Sequence, residues 1–87
     1  MTARLERAVR VDTELGLHAR PATEFAETAA RFDADVRVRK GDREVDARSV
    51  LLLLTLDVRH GDRILLSADG IDAQAALERL SEMVTVP

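Results

Sequence analysis

No cysteine occurs among the 87 residues. That excludes a disulfide, a thiolate metal site and a thiol nucleophile. Tryptophan and tyrosine are also absent, and phenylalanine occurs twice. A core must therefore be built from Leu, Val, Ile and Ala, and there is no set of stacking aromatics for a nucleic acid. Formal net charge is −3, which argues further against a general nucleic-acid binder. The longest apolar run, Val50 to Leu54 with Leu56 beyond Thr55, is far too short to span a bilayer. The stretch Met1 to Arg10 mixes charges with isolated apolar residues and lacks the apolar centre of a signal peptide. Membrane insertion is not expected, and the cytoplasm is the expected location.

What is present reads as an ordinary folded, soluble chain, with 46% hydrophobic and 33% charged residues. Its length suits one domain over residues 1–87, built as two packed layers. Leu5, Arg7, Val9 and Val11 alternate with charged or small residues and predict a strand. A loop from Asp12 to Leu17 follows. Ala22, Phe25, Ala26 and Ala29 then fall on one helical face, with Pro21 in the first turn and Arg31 near the C-terminal end.

Val36 and Val38 alternate with charges in a second strand, and Lys40-Gly41-Asp42-Arg43 reads as a hairpin turn. Glu44 to Ala47 returns as a third strand. Ser49 is a good N-cap for a short helix over the apolar run, although a buried strand fits that run nearly as well. Some of Val50, Leu51 and Leu54 are expected to stay exposed, whereas Leu52 and Leu53 are expected in the core. His60-Gly61-Asp62 is a turn, Arg63 to Ala68 a strand, and Ala73, Ala76, Leu77, Leu80 and Val84 a last helix with Asp72 as its N-cap. The order is β-α-β-β-α-β-α. The predicted class is α+β, an open-faced sandwich with an antiparallel sheet covered on one face by helices.

The chemistry concentrates at the first loop–helix junction. His18 falls at or beside the N-cap, where the N–H groups of Ala19, Arg20 and Ala22 are expected to lack helical partners. Those donors and the helix dipole make an anion-binding end, and Arg20 adds a guanidinium suited to phosphate. Phosphoryl transfer asks for little else, because positioning and charge stabilisation carry most of it. The nucleophile must be neutral imidazole, the form that both nearby positive groups favour. His60 reads as a solvent-exposed turn residue. The two histidines are not at ligand spacing, so no metal site is expected. Asp12, Glu14 and Glu24 read as solvated charges or partner contacts.

The run Gly16-Leu17-His18-Ala19-Arg20-Pro21-Ala22 resembles the active-site signature of HPr, the histidine-containing phosphocarrier family of the bacterial phosphoenolpyruvate-dependent sugar phosphotransferase system. Arg48-Ser49-Val50-Leu51 resembles the family's regulatory-serine segment, and Ser67-Ala68-Asp69-Gly70 its last strand and turn. The resemblance spans essentially the whole chain and implies four strands and three helices.

It further implies that His18 accepts phosphate on Nδ1 from enzyme I and passes it to the IIA domains of sugar permeases. Arg20 and the backbone of Ala19 and Arg20 would hold the group. Ser49 matches a regulatory phosphoserine, so an HPr kinase/phosphorylase and a catabolite regulator are candidate partners. Thr23, Val50, Leu51 and Leu54 would form the docking surface. Such a protein works as a monomer without cofactor, as a stoichiometric intermediate rather than a turnover enzyme. Alternatives are a regulatory paralogue of a nitrogen or fructose branch, whose phosphorylation state is a signal, or a non-phosphorylated interaction module. Three departures stand out: Asp57 where a glycine is common, Arg48 for a lysine, and Val50-Leu51 for a methionine-rich or aromatic pair. The first leaves the conformation of that loop open.

Overall fold

The structure is a computed structural model and describes residues 4–13 and 18–85. Four strands form one antiparallel sheet, β1 (Leu5–Arg10), β2 (Asp35–Lys40), β3 (Arg43–Asp46) and β4 (Arg63–Asp69), in the order β1-β4-β2-β3. Helices α1 (Ala19–Ala30), α2 (Val50–Thr55) and α3 (Ala73–Thr85) complete the β-α-β-β-α-β-α order. The alternation expected of the strands is present. Val36, Val38, Ile64, Leu66 and Ala68 are buried, and their neighbours in sequence mostly face out. Each long helix buries one stripe onto them: Ala22, Phe25, Ala26 and Ala29 from α1, and Ala76, Leu77, Leu80 and Val84 from α3. The fold is an open-faced sandwich with its helices on one side.

The short helix corrects one expectation. Leu53 is fully buried but Leu52 is 40% exposed. On a six-residue helix resting against a core, only one stripe can be covered. Here it is Val50, Leu53 and Leu56, three residues apart, of which Val50 is half-buried. Leu52 lies off that stripe and joins Leu51 and Leu54 on the exposed side.

Two connections fix the frame. Gly41, at φ 61°, takes the first place in the two-residue loop between β2 and β3, where Lys40 pairs with Arg43. At the other end the α1–β2 loop is clasped to the β4–α3 turn. Asp33 N–H donates to the Asp72 carboxylate at 2.7 Å, and Asp72 N–H donates back to Asp33 O at 3.0 Å. The Asp72 carboxylate, expected to cap its own helix, is thus committed to a neighbouring loop. Gly70 closes this clasp at φ 144°, and a Cβ there would stand 2.7 Å from Asp33 O and 2.8 Å from Ala34 Cα. Both atoms are backbone and have nowhere to go. Gly70→Ala is therefore expected to lower the unfolding free energy by about 1–3 kcal/mol. Urea denaturation with an unchanged m-value checks this, and a wild-type midpoint would refute the close-contact account.

Candidate functional site

The N-terminus of α1 is built from a buried floor upward. Ala22 and Phe25 anchor the first turns in the core at 0% exposure. At the other side of the gap in description, Asp12 and Thr13 N–H groups donate to Val84 O, at 2.8 and 3.3 Å, which pins the end of β1 to the end of α3. Residues 14–17, including Glu14, Gly16 and Leu17, lie outside the described residues.

His18 is the N-cap residue of α1, with extended backbone at φ −88° and ψ −173°. Its side chain makes no capping hydrogen bond and is exposed to solvent. Its carbonyl accepts from Ala22 N–H at 2.6 Å, which removes Ala22 from the expected set of free donors. That bond is the first i→i+4 rung of the helix. Pro21, in the first turn, has no N–H to give. The donors of Ala19 and Arg20 remain, with no acceptor among the described residues. Two N–H groups and an imidazole, all without partners among the described residues, therefore share one exposed helix end.

Arg20 leans along the helix toward Glu24, 3.5 Å away, with its own side chain 90% exposed. An ion pair this open contributes little and breaks readily. Glu24 remains a solvated charge, 60% exposed, that pairs loosely with Arg20. The Thr23 hydroxyl donates to Ala19 O at 2.8 Å, so its polar atom is already engaged within the helix.

Asp57 resolves the loop that the sequence leaves open. It follows the last turn of α2 with φ 51°, the left-handed conformation for which glycine is favoured, and aspartate tolerates it better than most residues. Its carboxylate accepts from Arg59 Nη2 at 2.9 Å and Nε at 3.1 Å. Those hydrogen bonds hold the Asp57 carboxyl below the ordinary carboxylate range, and Lys40 and His18 are near enough to add smaller contributions. Helix α2 packs against α1, the helix that carries His18 at its N-terminus. Lys40 staples this loop, donating to Asp57 O at 2.6 Å and pairing with Asp62 at 2.9 Å. Lys40 and the backbone N–H of Arg59 likewise hold Asp62 low. His60 is an exposed turn residue, as expected.

Ser49 caps α2, its Oγ accepting from Leu52 N–H at 3.2 Å. Next to it Arg48 pairs with Asp46 at 3.1 Å and holds that carboxyl low. Of the expected docking residues, Leu51 and Leu54 are 73% and 38% exposed. Val50 and Thr23 are half-buried, and Leu52 adds apolar surface that the sequence reading assigned to the core. The spacing 50, 53, 56 was the available signal for that. Among the described residues, no three His, Asp or Glu side chains are grouped to hold a metal ion.

Residues 5–85 match the family model described as the PTS HPr component phosphorylation site. The chain is 46% identical over 85 residues to phosphocarrier protein HPr of Haloferax volcanii, covering 95% of this chain and 96% of that protein. It is 43% identical over 81 residues to phosphocarrier protein NPr of Shewanella violacea, covering 93% and 89%. The crystal structure of phosphocarrier protein HPr from Bacillus anthracis superposes with a TM-score of 0.92 at 36% identity, covering 94% of this chain and 98% of that one.

Two outcomes follow from the local chemistry. Ser49→Ala is expected to cost about 1 kcal/mol by removing the α2 cap, read by thermal unfolding. A loss near zero would mean that Leu52 N–H has another acceptor. A carboxyl held low in the folded state adds stability that is present above about pH 4 and lost as pH falls through its folded value. The Asp57 and Asp62 carboxyls should therefore titrate below free aspartate by NMR. Lys40→Met should move Asp62 upward, and an unmoved Asp62 would contradict the staple.

Proposed function

This chain belongs to the HPr family of phosphocarriers, and we propose that it carries its phosphoryl group on Nδ1 of His18. The observation that supports this most is an exposed imidazole at the helix end, beside the N–H groups of Ala19 and Arg20, all three without partners among the described residues. Nδ1 attacks the phosphorus carried by phospho-enzyme I, and the N–P bond forms as the donor's bond to phosphorus breaks. The arriving dianion meets the positive end of α1, and Arg20 leaves Glu24 to add a guanidinium. The same donors hold the group until a IIA domain takes it. None of them needs to move a proton, so the protein positions and stabilises, and the group remains transferable.

The exposed leucines of α2, Leu51, Leu52 and Leu54, with Val50 and Thr23 beside them, form the surface on which these partners dock in turn. A small apolar patch rimmed by charge suits contacts that must release quickly. The protein acts as a monomer in the cytoplasm and serves sugar uptake. A signalling role in a separate branch is the second reading, supported by the 43% identity to an NPr protein.

Ser49 is the proposed regulatory site. A phosphate there adds roughly −1.5 to −2 charge beside the leucine patch and opposes docking of enzyme I. Arg48, now paired with Asp46, stands next to it as a counter-charge.

Incubated with enzyme I and phosphoenolpyruvate, the protein is expected to gain one acid-labile, base-stable phosphate. His18→Ala should gain none, and labelling of that variant rejects the assignment. Arg20→Ala should still be labelled but about a hundredfold more slowly. A rate equal to wild type would remove Arg20 from the mechanism.

A further inference from the structure

The face of the sheet opposite the helices carries a feature that phosphoryl transfer does not use. Strand alternation sends Ala8 and Arg10 of β1, Arg63 and Leu65 of β4, and Arg39 of β2 to that face. In the observed register Arg10 stands directly opposite Arg63, and Leu65 lies between Ala8 and Arg39. Like charges directly across a strand pair are destabilising, so the Arg10–Arg63 pair is not explained by sheet stability.

Most carboxylates of the same face are engaged elsewhere: Asp69 lies at the far end of the sheet opposite Asp35, and Glu6 pairs with Arg4. Glu44, opposite Arg39 in register, is paired with Arg4, whose guanidinium also donates to Ser67 Oγ at 2.9 Å. Asp35 pairs with Arg37 at 3.3 Å and Asp46 with Arg48 at 3.1 Å. Asp62, next to Arg63, is held by Lys40. Of the three arginines, Arg10 alone has an ion pair among the described residues, with Asp12 at 3.6 Å, and Asp42 follows Gly41 at the hairpin. The open face is thereby divided into a charge-paired half and a cationic half, on a chain whose net charge is −3.

The cationic half is also concave. A shallow hollow of about 280 Å³ is lined by Ala8, Arg39, Gly41, Arg63, Ile64 and Leu65. A smaller one of about 90 Å³, lined by Ala8, Val9, Arg10 and Arg63, adjoins it through Ala8 and Arg63. No carboxylate lines either. Arg39 Nε donates to Gly41 O at 2.9 Å, which fixes that guanidinium at the rim. Arg63 has no hydrogen-bond or ion-pair partner among the described residues.

We propose that this basin docks an acidic segment of a protein partner, with carboxylates on Arg10, Arg39 and Arg63 and one aliphatic side chain on the Ala8–Leu65 floor. Guanidinium groups favour carboxylate in paired hydrogen bonds, and the small apolar floor rewards a single aliphatic side chain. Nucleic acid fits less well. Phe25 is fully buried and Phe32 half-buried, so no aromatic stands at the basin for a base to stack on. Because the basin faces away from the helices, the acidic partner binds while His18 is engaged on the other side.

The test titrates ¹⁵N-labelled protein with a capped hexapeptide of five glutamates around one leucine, and with its glutamine counterpart. Saturable amide shifts centred on Ala8, Arg39, Gly41 and Leu65, seen only with the acidic peptide, are expected. Arg63→Glu should weaken binding by about tenfold or more, while Arg79→Glu on α3 leaves it unchanged. Arg63→Glu also replaces a like-charge pair with an opposite one. It is therefore expected to fold with a Tm at or above wild type, so lost binding cannot be ascribed to unfolding. Absent or unsaturable shifts, shifts centred on the helical side, or equal weakening by Arg79→Glu would overturn the proposal. Tighter binding of an oligothymidylate at the same residues would overturn the assignment to an acidic protein.

Discussion

Helix α1 is held by its buried stripe rather than by its first residue, and the site depends on that division of labour. Ala22, Phe25, Ala26 and Ala29 fix the helix in the shared core. Its N-cap position is thereby released from the usual task of accepting a first-turn N–H. His18 occupies that position in extended conformation and caps nothing with its side chain. A serine or aspartate there would satisfy a donor and close the end. An imidazole leaves both itself and the donors of Ala19 and Arg20 open to an anion, and Pro21 removes a donor without leaving an unsatisfied one. Packing elsewhere thus offsets an uncapped helix end, and that end is the proposed phosphoryl site.

The rest of the frame serves the same end of the molecule. Bonds from Asp12 and Thr13 to Val84 anchor the chain just before the site. Lys40 ties β2 to the loop holding Asp57 and Asp62, which follows α2, and α2 packs against α1. At the far end, Gly70 and the Asp33–Asp72 clasp set how α1 enters β2 and how β4 enters α3. Rigidity comes from backbone contacts and buried aliphatics. The charged groups nearest the site are left in loose, exposed pairs such as Arg20–Glu24, which an incoming phosphate can rearrange.

Much of this was legible in the chain. Period-two and period-3.6 patterns marked β1, β2, β3, α1 and α3, because each buries one face only, whereas α2 and β4 were apolar runs bounded by a cap or turns. Gly41 marked the hairpin and Ser49 the α2 cap. Leu52 was misplaced because a run of four leucines carries no polar residue to reveal which stripe faces the core, and only Val50 and Leu56 at its flanks set the phase. Asp72 was read as a helix cap, yet its carboxylate reaches Asp33, a residue 39 positions away that local pattern cannot connect. Ala22, expected to offer a free donor, is the first residue whose N–H reaches a carbonyl one turn back, that of His18. Asp57 at positive φ was visible only as a departure from glycine. Its ion pair with Arg59 and its backbone bond to Lys40 required the folded chain.

The most direct measurement is NMR of the phosphorylated, ¹⁵N-labelled protein, with the imidazole nitrogens and the backbone amides followed together. The account predicts phosphorus bonded to Nδ1 of His18, with the largest downfield amide-proton shifts at Ala19 and Arg20 and little change at Ala22. Phosphorus on Nε2, or the largest shifts at Ala22 rather than at Ala19 and Arg20, would contradict the claim that an uncapped helix end holds the phosphoryl group.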